Sequence, residues 1–270
     1  MLPNSLAVIL SVNLIMVFVI EIIKIAFFRG SLIEEDIAML IQLYGSIIGI
    51  GLVILYCYGI EKRKLACMGI IRSSFFQQYM KGILVGGFLI SVIVLIGELL
   101  GIFVFDKINQ NLNIKIILLF FFGFLLQGFY EELVFRGFLM ISIIKKSTIF
   151  VAVMINSLLF GLTHGFNDGI HVLGLLNLIL FGIFESIYLL KNGNIWGVSA
   201  IHSMWNFMQG SIYGFNVSGM AQSQSLLTFK IKNCEIFSGG TFGLEGSLLT
   251  TIVLASGILI AALYKNRMHE

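Results

Sequence analysis

The chain has 270 residues, of which 58% are hydrophobic and 11% charged, and its mean hydropathy is +1.00. A soluble domain carries about a quarter charged residues, so this composition excludes one and predicts an all-α, polytopic transmembrane helical bundle. The net charge of +3 follows the loops, and nothing resembles a nucleic-acid surface.

Apolar stretches of about 20 residues predict about eight spans, at roughly 5–28, 37–60, 82–105, 115–140, 148–166, 172–190, 195–212 and 246–264. The first has no Lys or Arg before it and no small-residue cleavage site nearby, so it is expected to stay as a span. Residues 213–245 are polar and glycine-containing and read as a long loop, in part re-entrant. Loops on one side hold ten basic residues: Lys62, Arg63, Lys64, Arg72, Lys81, Lys145, Lys146, Lys191, Lys265 and Arg267. The opposite loops hold six: Lys24, Arg29, Lys107, Lys115, Lys230 and Lys232. The excess predicts a multi-pass protein of the cell membrane with both termini cytoplasmic and an acidic outer loop at Glu34-Glu35-Asp36. Cys57, Cys67 and Cys234 suggest neither a disulfide framework nor a metal knuckle. Gly45-xxx-Gly49 in the second span is a candidate close helix contact.

The fourth span carries Glu131, Glu132 and Arg136. Charges inside a bilayer cost a few kcal/mol each on insertion scales, so three in one span need a use. Glu132 and Arg136 are four apart and can meet on one helical face, which holds Glu132 ionised and structurally committed. Glu131 points about 100° away, free to act as a general base. The fifth span places Phe160 and His164 on one face, and the seventh places His202 and Asn206 on one face, again four apart. Counted along the helices from the basic anchors, Glu131, His164 and His202 fall in the middle of the bilayer, scattered by about 10 Å. A structural ion cluster, a transport site and a catalytic site all remain open on these residues alone.

Glu131-Glu132-xxx-Arg136, Phe160-xxx-His164 and His202-xxx-Asn206, in that order on successive spans, resemble the CPBP family. That family comprises CAAX proteases and bacteriocin-processing enzymes, also called Abi or type II CAAX prenyl endopeptidases. The surrounding residues, such as Glu-Glu-Leu-Val-Phe-Arg-Gly and His-Ser-Met-Trp-Asn, read like the family's versions, as do Ser218-Gly219 and the Gly239–Gly246 stretch. The resemblance covers roughly 115–255, which divides the chain into N-terminal helices without a motif (1–110) and a CPBP-like core (111–270).

The resemblance implies an intramembrane endopeptidase that attacks a peptide bond with a glutamate-activated water. On this chain Glu131 is then the base, and His164 helps hold the water. His202 and Asn206 donate to the oxyanion, while Glu132, Arg136 and Phe160 support them. No cofactor is expected on this reading. The alternative is a zinc held by Glu131, His164 and His202. Implied partners are membrane lipids and a peptide or lipidated-peptide substrate, with no nucleic acid. The alternative function within the family is a non-catalytic bacteriocin immunity or resistance protein. Glu98 and Glu185 also fall inside spans, and Glu185 is read as a packed or protonated residue. Glu21 and Lys24 are expected to pair locally, His171 to lie in a loop and His269 in the tail, and Glu245 has no assigned role.

Overall fold

The computed structural model describes residues 2–27, 35–232 and 235–263. Arg29, Glu34, Cys234, Lys265, Arg267, His269 and the side chain of Lys24, all used above, lie outside the described parts.

The chain forms α1 (Leu2–Phe27), α2 (Glu35–Leu55, continued by a π turn Tyr56–Ile60), α3 (Phe75–Leu99) and α4 (Ile114–Glu132). A π-helical stretch, Leu133–Met140, prolongs α4 into the short α5 (Ile141–Ile144). Then follow α6 (Ile149–Thr163), α7 (Val172–Asn192), α8 (Ile195–Phe207, with a π turn Met208–Ile212), α9 (Glu235–Ser238) and α10 (Leu248–Leu263). Helical rods therefore occupy the eight expected intervals, and the molecule is an all-α membrane bundle. Five of the rods are long and apolar enough to cross a membrane: Asn4–Ile23, Glu35–Ile60, Phe75–Leu99, Ile114–Ile144 and Val172–Asn192. Helices α6, α8 and α10 are shorter.

The third rod departs from expectation. It begins at Phe75 rather than near 82 and ends at Leu99, so Glu98 lies exposed in its last turn. Gly101, at φ 70°, takes the left-handed conformation that stops a helix. The apolar residues beyond it form β1 (Phe103–Ile108), paired antiparallel with β2 (Leu227–Ile231) and with Phe105 opposite Phe229. The 213–245 stretch thus contributes a strand, α9 and tight turns, and its bonds to Asp36, Asn167 and Asn177 lay it over one end of the bundle as a roof. Asp36, at the start of α2, ties down that roof by accepting from the Ser223 backbone N–H at 2.8 Å and from its hydroxyl.

Local sequence sets the helix ends that bracket the functional residues. Asn113, Thr148 and Asn194 each accept a first-turn N–H with the side chain, and Gly193 closes α7 at φ 62°. Close packing is set by glycine. α8 lies between α3 and α4: a Cβ on Gly82 or Gly86 would overlap the carbonyl oxygens of Gly197 or Ile201, and one on Gly128 would overlap Ser203. Only helices without side chains at these points approach so closely. The Gly45-xxx-Gly49 pair also serves contact, with two different partners: Ile20 of α1 against Gly45 and the Tyr130 ring against Gly49.

Candidate active site

Glycine-mediated contact brings the polar face of α8 against that of α4. On α4, Gln127 sits one turn before Glu131, and its Nε2 donates to Glu131 Oε1 at 2.6 Å. Glu132 points elsewhere, is 0% exposed, and accepts from Arg136 Nη1 at 2.8 Å. Arg136 is equally buried within the π stretch, and its guanidinium lies 4.5 Å from the centre of the Phe160 ring. Phe160 therefore serves as a floor, packed beneath Arg136 and against both His164 and His202.

The two imidazoles are fixed in the same sense. His202 Nδ1 lies 2.9 Å from Glu132 Oε1, and His164 Nδ1 lies 2.9 Å from the Phe160 carbonyl oxygen. Both partners are acceptors, so Nδ1 carries the proton in each ring. Each Nε2 then faces Glu131 Oε2, at 3.7 Å from His202 and 3.9 Å from His164. That oxygen is buried and has no hydrogen-bond partner among the described residues. Asn206, one turn after His202, donates from Nδ2 to Gln127 Oε1 at 3.0 Å. Glu131, His164, His202 and Asn206 thus come together on helices α4, α6 and α8, and Glu132, Arg136 and Phe160 stand behind them.

Three residues have larger parts than the sequence suggested. Gln127 links Glu131 to Asn206, and its i, i+4 spacing to Glu131 was the available signal. Glu185, read above as packed or protonated, is packed at 0% exposure, and its Oε2 lies 3.3 Å from Arg136 Nη2. Its partner comes from another helix, which a single span cannot reveal. Glu245, given no role above, accepts from the Ser218 backbone N–H (2.6 Å), the Ser218 hydroxyl (3.0 Å) and Gln209 Nε2 (3.1 Å). It thereby fastens the roof above the cavity. Burial pushes the Glu245 carboxyl above the usual carboxylate range, and the same donors oppose that rise. His171, expected in a loop, caps α7 by accepting from the Gly174 N–H.

Beside these groups lies a narrow cavity with about 20 Å³ of room for a water-sized sphere. Gln127, His164, His202 and Asn206 line it together with Asn177, Ser218, Glu245 and Thr250, and Phe160, Leu178, Phe181, Trp205 and Leu254 supply its apolar lining.

Among the described residues one cluster gathers three ligand atoms closely enough for a cation. Glu132, Glu185 and His202 place theirs within 4.8 Å of one another, but the Arg136 guanidinium already sits on both carboxylates. Glu131, His164 and His202 offer one carboxylate oxygen and two Nε2 lone pairs, each imidazole braced through its far nitrogen in the manner of metal-ligating histidines.

Residues 113–208, which hold Gln127, Glu131, Glu132, Arg136, Phe160, His164, Glu185, His202 and Asn206, match the type II CAAX prenyl endopeptidase Rce1-like family. Over this segment the chain is similar to that family. The match spans 96 of the 270 residues and agrees with the family suggested by the three motifs. It supports a membrane endopeptidase in general, and with the long apolar rods it makes the chain a multi-pass membrane protein. No curated protein matches the chain.

Proposed function

We propose that the protein is an intramembrane endopeptidase in which Glu131 activates water against a peptide carbonyl. The observation that carries this reading is the buried, hydrogen-bond-free Oε2 of Glu131, faced by the Nε2 atoms of two imidazoles from other helices. Peptide hydrolysis needs a base within reach of a water and fixed donors where negative charge develops. Glu131 Oε2 takes a proton from the water as its oxygen bonds to the carbonyl carbon. The same proton then passes to the departing amine nitrogen as the C–N bond breaks. His164 Nε2, with its lone pair free, accepts from the water's second hydrogen. Asn206 keeps a second N–H for the oxyanion. His202 donates there as well when its Nε2 is protonated, a charge that Glu132, bonded to its Nδ1, offsets.

A second reading uses the same three side chains as zinc ligands, favoured by the engagement of both Nδ1 atoms on acceptors. A zinc bound by Glu131, His164 and His202 would supply Lewis-acid activation of water. The apolar cavity walls and the family match favour a substrate with an apolar or lipidated segment beside the scissile bond. The family match does not favour the non-catalytic immunity alternative. The charge asymmetry of the loops supports cytoplasmic termini and a place in the cell membrane.

The test reconstitutes the chain in lipid nanodiscs with two internally quenched peptides, one farnesylated with a CAAX-type tail and one unmodified. Glu131→Gln is expected to insert and fold normally and to lose cleavage by at least about a hundredfold. Cleavage at the wild-type rate by that variant overturns the mechanism. Loss of activity on chelation, restored by zinc alone and matched by one metal per chain, would select the zinc reading.

A further inference from the structure

We propose that Gln127 is a positioning residue that couples the base to the oxyanion donor, so that Glu131, Gln127 and Asn206 act as one hydrogen-bonded unit. This rests on the reading of Glu131 as the base and adds a residue that the three motifs do not contain.

The geometry is directional. Gln127 spends its amide nitrogen on Glu131 Oε1, at 2.6 Å, and its carbonyl oxygen on Asn206 Nδ2, at 3.0 Å. Occupying Oε1 leaves Oε2 as the oxygen of Glu131 without a donor, and Oε2 is the one that faces both imidazoles. Gln127 therefore decides which oxygen of the carboxylate is basic. An amide bonded at both ends also transmits polarisation. Negative charge on Glu131 draws on the Gln127 N–H and makes its carbonyl a stronger acceptor, which holds the Asn206 amide in place. When Glu131 takes a proton from water, that pull weakens. Asn206, still anchored through one N–H, is then freer to turn its second N–H onto the oxyanion as the oxyanion appears. The proton moves from water to Glu131 and no bond to Gln127 is made or broken, so the residue works through its neighbours.

The other polar groups that line the same cavity are bonded elsewhere: Asn177 to the Glu245 and Ser247 carbonyls, Glu245 to Ser218 and Gln209, and Thr250 to the Leu244 carbonyl. Phe160 and Trp205 offer no carbonyl or carboxylate side chain, and Glu132, held by Arg136, is bonded to His202 Nδ1. Gln127 also lines the cavity, so its amide lies at the edge of the space a substrate would enter.

A substrate-free experiment reads the coupling directly. The side-chain amides of Gln127 and Asn206 are followed by 15N–1H NMR in nanodiscs, assigned from Gln127→Met and Asn206→Ala. Neutralising the base by Glu131→Gln is expected to shift the Asn206 amide resonance, and the shift is expected to vanish when Gln127→Met is added. An Asn206 resonance that ignores Glu131→Gln, or that responds equally without Gln127, overturns the proposal. Kinetics with whichever quenched peptide the wild type cleaves supply the second reading. Gln127→Met is expected to lower kcat by about tenfold to a hundredfold, as loss of a hydrogen bond to a charged group would, with KM changed less than about threefold. The combined loss in Gln127→Met/Asn206→Ala should fall short of the product of the single losses by at least about threefold. Gln127→Asn, one methylene too short to bridge, should behave like the methionine variant. Should Gln127→Met not insert, Gln127→Asn takes its place in both measurements. Wild-type kcat in these variants, alongside an inactive Glu131→Gln, would remove Gln127 from the mechanism while leaving the base in it. Cleavage by Glu131→Gln would instead remove the base.

Discussion

Arg136 is the cation on which the buried cluster balances, and Arg136→Met tests that directly. Its guanidinium bonds Glu132 at 2.8 Å, lies 3.3 Å from Glu185, and stacks 4.5 Å from the centre of Phe160. All three polar side chains are 0% exposed, so solvent screens none of these contacts. Removing one partner of a buried ion pair costs about 3–5 kcal/mol, because the charge left behind has no compensation. Loss of a desolvated cation–π contact adds about 1–2 kcal/mol. The sum, about 5 kcal/mol, rivals the entire stability of many domains. The effect should be read as reversible unfolding in mixed micelles, followed by the fluorescence of Trp196 and Trp205. The triple variant Arg136→Met/Glu132→Gln/Glu185→Gln, which removes all the charges together, should recover most of the loss. It should not recover cleavage, because His202 loses its ionised partner. A single variant within about 1 kcal/mol of wild type, or a triple variant no more stable than the single, would refute the account.

Other outcomes follow from the packing and the roof. Gly86→Leu should push α8 from α3, costing about 1–3 kcal/mol in overpacking and lowering cleavage; unchanged stability in the same micelle assay would contradict the contact. Gly49→Leu presses on Tyr130 rather than on α8, so its cost should fall on stability more than on cleavage. Burial raises the Glu245 carboxyl, so the fold favours its protonated form. Its contribution should be complete at acid pH and fade as pH rises through the raised value. Protease nicking of the roof should accordingly increase with pH in the wild type and lose that slope in Glu245→Gln. Asp36→Ala, which frees two donors of Ser223, should raise the nicking rate at every pH without moving its slope.

What could be read in advance divides along a physical line. The pairs Glu132–Arg136, Phe160–His164 and His202–Asn206 were legible because one helical turn places both members on one face. That three such faces meet was not legible, since it depends on Gly82, Gly86 and Gly128 letting α8 settle between two neighbours. Glu185 carries no local partner on α7, so its pairing with Arg136 appears only when helices are assembled. Gln127 obeys the same spacing rule, four residues before Glu131, but its second partner, Asn206, lies on another helix. The β1–β2 ribbon joins segments more than a hundred residues apart, and the Phe103-Val104-Phe105 run read as the tail of a span. Gly101 was the one signal that the span had already ended.

The π-helical stretch after Glu132 buries every one of its residues, Leu133 through Met140. A rod with no lipid-facing side over eight positions has no neutral place for a change. Its looser winding also sets the phase between the carboxylates before it and the guanidinium within it. An insertion there meets a rod that is already underwound and would turn everything downstream by about 100°, whereas a single deletion is absorbed as the rod rewinds toward α-helix. Insertions in this stretch should therefore be far harder on the protein than single deletions, an asymmetry that deep insertion–deletion scanning would draw directly.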